Sequence, residues 1–209
     1  MTKDEKIGSF DFLRQQALEL GATDARIIPV DKIIIEDRVV FKCELGCEKY
    51  GKTLACPPYA PTPEKFRKIV KEYHYAMFMK FNSQAEAPQE LIKYLSKNDS
   101  TVSKEIKSKI DDFWAAWKID NQKLRNAVLK LEKLAAEKGY ILATGLVSGS
   151  CILCEKCNVE KGVCINPTMK RYPEEGVGVN VKATAESAGM VFTLPFKKNP
   201  ETYALLLID

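Results

Sequence analysis

The stretch Thr144-Gly145-Leu146-Val147-Ser148-Gly149-Ser150-Cys151-Ile152-Leu153-Cys154-Glu155-Lys156-Cys157, followed at Cys164 by a fourth thiol, decides how this chain is read. The apolar run from Tyr140 to Val147 predicts a strand, and it delivers the chain directly into the cysteines. Before it, Ile106, Ile110, Phe113, Trp117, Leu124, Val128, Leu131 and Ala135 recur at three- and four-residue intervals. That spacing predicts one apolar helix face from about Lys104 to Lys138, either continuous or divided at Asp120-Asn121.

Further out, Phe10 to Leu20 predicts a helix capped by Ser9 and ended by Gly21. Ala25 to Val30 and Ile33 to Phe41 predict strands, the second with a helix after Asp37 as the alternative. Thr62-Pro63-Glu64 is a helix start, because proline at the first helical position lacks only an N–H that has no partner there; the helix should reach about Tyr73. A strand from Tyr75 to Phe81 follows. Asn82 to Ser103 is polar and predicts a surface excursion within one domain covering 1–209. Val179 to Ala188 predicts a helix, and Met190 to Leu194 and Tyr203 to Ile208 predict closing strands. The expected class is α/β: a mixed β-sheet with packed helices and cysteine-rich metal-binding loops following strands.

Composition narrows the function. A chain of 209 residues with 45% apolar content can bury a sizeable core. Its 32 basic and 28 acidic residues give a formal charge of +4, too even a balance to point to nucleic acid or membrane as partner. Met1 to Lys6 are polar and lead into no apolar segment, and no apolar run approaches the ~20 residues of a membrane span, so a cytoplasmic location is expected. A single histidine leaves no serine, histidine and acid set for a hydrolase.

Seven cysteines, an odd number, argue against a disulfide framework in a reducing compartment. They fall in two windows only. Cys151, Cys154 and Cys157 stand at two-residue gaps with Cys164 six residues further on, a compact set that suits a 4Fe-4S cluster. Structural zinc, the alternative, usually takes two close pairs separated by a dozen or more residues. Gly149 and Gly162 flank this window, where backbone N–H groups can approach inorganic sulfide. Cys43, Cys47 and Cys56 offer three thiolates, so a cluster there keeps one iron open for substrate, a small ligand or a further residue such as His74. Gly46 to Thr53 also fits the phosphate-loop pattern, but Pro57 and Pro58 would stop the helix that pattern needs. Because each window is expected to follow a strand, the two should meet in space.

Two other features have plain readings. Phe113, Trp114 and Trp117 have the spacing of core residues, and Lys65, Arg67, Lys68 and Lys71 that of a solvated helix face.

Cys43, Gly46-Cys47, Tyr50-Gly51-Lys52, Cys56-Pro57-Pro58, Gly149, the four later cysteines, Pro167 and the Glu175 to Val181 stretch together resemble the predicted metal-binding proteins of the domain of unknown function 2284 family, common in anaerobic prokaryotes. The resemblance covers nearly the whole chain and implies metal binding. The family usually shows an Arg-Pro-Ser-Met-Glu-like run before a Gly-Ile-Asp-Val-like segment, where this chain has Arg171 to Glu175 and Gly178-Val179-Asn180-Val181. The expected function is that of an iron–sulfur protein acting in electron transfer or in reductive activation of a redox partner protein. One alternative is an enzyme whose open iron binds a small-molecule substrate, and another is a zinc-binding scaffold.

Overall fold

The computed structural model describes residues 3–87, 89–92, 102–193 and 199–209. Four strands form one sheet in the order β1-β2-β4-β3, with β1 at Asp24–Pro29, β2 at Tyr75–Asn82, β3 at Thr144–Val147 and β4 at Glu201–Leu207. All three strand pairs are antiparallel. The parallel part of the mixed sheet expected from sequence reduces to one bridge, Val147 to Pro173.

The helices, in chain order, are α1 (Lys3–Gly8), α2 (Asp11–Glu19), α3 (Asp37–Gly46), α4 (Pro63–Val70), α5 (Gln89–Ile92), α6 (Lys104–Glu137) and α7 (Val181–Ser187). Alternate side chains of a strand point to opposite faces, and here both faces are covered. Met77, Met79, Ala204 and Leu206 pack on one side against Phe10, Leu13 and Ala17 at α2 and Leu124, Val128 and Leu131 of α6. Ala76, Phe78, Leu205 and Leu207 pack on the other against Phe66 and Val70 of α4 and Ala185 of α7. Two-sided burial explains why β2 and β4 read as unbroken apolar runs.

α6 is continuous through Asp120-Asn121. The Asp120 carboxylate accepts hydrogen bonds from Ser83 Oγ (2.7 Å), Gln84 N (2.7 Å) and Ala85 N (3.3 Å), tying down the chain that leaves β2. The polar pair marks a tether. Phe113 and Trp117 pack with Ala85, Ala87 and Leu91, as expected for core residues, while Trp114 stays exposed. Glutamate and arginine then fix the other end, since Glu132 receives Gly145 N (2.6 Å) and the Arg171 guanidinium (Nε to Oε1, 2.5 Å).

Several boundaries differ from the sequence reading. Ile33 to Phe41 is not a strand: Ile35 makes a single bridge to Val179, and Asp37 opens α3 with its acid in the first turn, where the helix dipole favours it. Ser9 does not cap α2; its hydroxyl donates back to Lys6 O. Tyr140 to Ala143 form a turn, with Ile141 and Leu142 exposed, and β3 begins only at Thr144. Met190 to Thr193 lie outside any strand, and Leu194 lies outside the described residues. Of the expected surface excursion, 88 and 93–101 lie outside the described residues, and α5 falls within the remainder. Arg67 is no free surface cation, because it pairs with Asp37 (2.7 Å) and joins α4 to α3. No helix among the described residues is long and apolar enough to cross a membrane.

Candidate metal centre

The loop carrying Cys151 to Cys164 leaves the sheet and returns to it at one point. Val147 N donates to Tyr172 O (3.1 Å) and Glu174 N donates to Val147 O (3.3 Å), so residues 148–170 form an excursion closed at the end of β3. Gly149 makes the first turn with φ +69°, and a Cβ there would stand 3.7 Å from Asn121 Oδ1, so the loop crosses directly over α6. Inside the excursion, Asn158 Nδ2 donates to Val163 O (3.0 Å) and Asn166 Nδ2 to Cys154 Sγ (3.2 Å). Gly162 is also left-handed, but its N–H already donates to Val159 O (3.1 Å). It therefore shapes the turn.

All four cysteines of this loop line one cavity of about 590 Å³. Its opposite wall is Thr53, Leu54 and Ala55, which belong to the other window. Leu54 N donates to Cys157 Sγ at 3.3 Å, and the Cys151 amide faces the Cys56 sulfur. The two windows are neighbours, as expected, although only the second follows a strand. Lys49, Lys52, Lys118, Lys156 and Lys170 also line the cavity, against one acid, Glu155.

The first window is built differently. Cys43 sits in the last turn of α3, Cys47 caps that helix with its N–H on Cys43 O (3.2 Å), and Cys56 ends a series of turns before the cis bond Pro57-Pro58. No helix starts at Lys52, so the phosphate-loop pattern has no structural counterpart. Cys43 is half-buried, Cys47 exposed and Cys56 buried. Burial, with help from the neighbouring Cys47, Glu175 and Cys56 charges, pushes the Cys43 thiol up to about 11. Burial also raises the Cys56 thiol, while the Thr53 hydroxyl and the Cys151 amide act to lower it. His74 does not join either window: it lies exposed beside Asp209 at the start of β2, and β3 runs away from that end of the sheet toward the cysteines.

All seven cysteines are free. Among the described residues no three His, Cys, Asp or Glu side chains converge closely enough to hold a single ion. Hydrogen bonds to Cys154 and Cys157 sulfurs are of the kind that steady thiolate ligands and tune cluster potentials. Arg125 supplies a further sign. It is fully buried, its Nε and Nη1 have no partner, and the ionisable group of opposite charge it feels is Cys151. The residues therefore fit an anionic cluster.

The sequence reading missed Arg125, Asn166, the Leu54 amide and the cavity lysines. Only Arg125 left a legible signal, a cation between Leu124 and Val128 on the apolar side of α6. Asn180, where the resemblance would put an aspartate, has a structural role: its Oδ1 accepts Ala183 N (3.0 Å) to cap α7, and its Nδ2 donates to Glu36 (2.7 Å). An aspartate there would keep the cap and lose the donor.

Compared with curated proteins and with solved structures, the chain has no match. One family profile, described as predicted metal-binding protein (DUF2284), matches residues 26–208, a span that holds both cysteine windows, all four strands but for the first two residues of β1, and the Asn180 cap. The chain belongs to the DUF2284 family of predicted metal-binding proteins.

Proposed function

We propose that this protein holds a 4Fe-4S cluster on Cys151, Cys154, Cys157 and Cys164 and a second centre on Cys43, Cys47 and Cys56, and that it transfers electrons to, or reductively activates, a partner in the cytoplasm. The observation that carries this reading is the single cavity walled by the four thiols on one side and by Thr53 to Ala55 on the other, with backbone and side-chain N–H groups aimed at two of the sulfurs. A 4Fe-4S cluster bound there supplies one-electron transfer. The chain does the rest. Leu54 N–H and the Asn166 amide favour the more negative state of the sulfurs they touch. Ile152, Leu153 and Val159 line the same cavity and limit water at the thiols, and the lysines around it offset negative charge.

The exposure of Cys47 favours a second reading for the first window. Three thiolates leave one coordination position free, and at an exposed site a small molecule has access to it, so that window would serve as the catalytic one. Electron paramagnetic resonance on anaerobically reduced protein tests both. A reversible one-electron signal insensitive to cyanide supports the relay, a signal altered by cyanide supports the open site, and a protein without any such signal in either state contradicts both.

A further inference from the structure

We propose that Arg125 is the buried counter-charge of the anionic centre held at Cys151, so that one residue penalises the empty protein and secures the loaded one. The inference rests on the iron–sulfur reading of the four-cysteine window. Arg125 is 0% exposed, and its Nε and Nη1 have no hydrogen-bond partner. A buried guanidinium with two of its three nitrogens unpartnered is costly for a fold to retain, and its persistence calls for an anion. Asn121, one turn earlier on α6, is held in place by its Nδ2, which donates to Trp117 O (3.0 Å).

Position supplies the second argument. Lys118, Asn121 and Arg125 are spaced three and four residues apart and share one face of α6. Lys118 lines the cysteine cavity, and Asn121 lies under Gly149, two residues before Cys151. Arg125 continues that face beneath the same loop. Two charged groups face it from the elements packed around it. Cys151 attracts, and Arg171 repels, but Arg171 is already matched by Glu132. With a bound centre, Cys151 is a thiolate ligand in an assembly that is anionic overall.

Opposite effects follow for the two states. Replacing a lone buried cation by an apolar side chain of similar volume removes a penalty from the metal-free protein. The same replacement removes the charge that holds the centre and that favours its reduced, more negative form.

The test compares the full-length protein with Arg125→Met, Arg125→Gln and Arg125→Lys, prepared without oxygen. Three quantities are read: metal loss to a chelator, the midpoint potential by redox titration, and the melting temperature after metal removal. Met and Gln variants should lose metal about tenfold faster, within the range for groups supporting metal ligands, and their potentials should move to more negative values. The metal-free Met variant should melt at least ~2–4 °C higher than the metal-free wild type. Lysine should behave as wild type. If Lys fails like Met and Gln, or if metal retention and potential are unchanged while the metal-free Met variant melts lower, Arg125 is a packing residue and the proposal is overturned. Wild-type protein that carries zinc and no sulfide would end the iron–sulfur reading; faster zinc loss from the Met and Gln variants would still sustain the counter-charge.

Discussion

Leu54 donates its backbone N–H to the sulfur of Cys157 at 3.3 Å, across 103 positions of sequence. This bond makes the turns that carry Cys56 a wall of the cavity that holds the four later cysteines. The two windows are therefore mechanically linked, and changes in one should be felt in the other.

Asn166 provides the simplest check on how the sulfurs are supported. Its amide donates to Cys154 Sγ at 3.2 Å, and it lies half-buried in the excursion, outside the two main core clusters. Asn166→Ala should weaken metal retention by about 10-fold while leaving the melting temperature of the metal-free protein within ~2 °C. Chelator competition and calorimetry measure the two effects, and unchanged retention would remove Asn166 from the site.

The cysteine windows should separate by mutation. Cys56→Ser is expected to leave roughly half the iron and abolish any cyanide-sensitive signal, whereas Cys154→Ser should remove the cyanide-insensitive part. Because Cys56 borders Cys151 and Leu54 borders Cys157, Cys56→Ser should also perturb the spectrum of the remaining centre. Iron analysis with electron paramagnetic resonance decides. An unchanged iron content in Cys56→Ser means the first window holds no metal.

What was legible in the sequence followed from local rules. The Thr62-Pro63 helix start, the apolar runs of β2 and β4 and the three-and-four spacing of α6 each signal their element within a few residues. The cysteine spacing was legible for the same reason. Long-range constraints were not. Asp120 reads as a helix breaker until Ser83 and Gln84 are seen to bind it, and the β-branched run at Val39-Val40 reads as a strand until Arg67 is seen to dock α3 through Asp37. Nothing near Leu54 announces that its amide meets a sulfur from the far window.

Gly145 shows how closely α6 approaches β3. A Cβ at this position would stand 2.1 Å from Val128 Cγ1. Gly145→Ala should cost about 1–3 kcal/mol through overpacking and lower the melting temperature. Adding Val128→Ala should recover part of the loss. If the double variant is no more stable than Gly145→Ala, the steric account is wrong.

Glu174 gives a pH dependence. Its carboxyl is 1% exposed with Oε1 unpartnered, and burial holds its pKa well above the carboxylate range, with the Glu175 charge adding to the shift. Below the unfolded value of about 4.3 both states bind the proton and the buried carboxyl carries no penalty. As pH rises, the unfolded chain releases that proton first, so the contribution of this group to stability is lost up to the raised folded value. Glu174→Gln should therefore melt a few degrees higher than wild type at pH 7, with the gap closing near pH 4. Thermal melts across that range check the sign, and a gap that widens toward pH 4 contradicts it.

We propose above all that the four-cysteine cavity holds an iron–sulfur cluster. Iron, zinc and acid-labile sulfide should be quantified per chain in protein purified wholly without oxygen, alongside Cys154→Ser. About four irons and four sulfides are expected for each filled cubane in the wild type, with that set lost from Cys154→Ser. Stoichiometric zinc without sulfide, or iron content indifferent to Cys154→Ser, would contradict it.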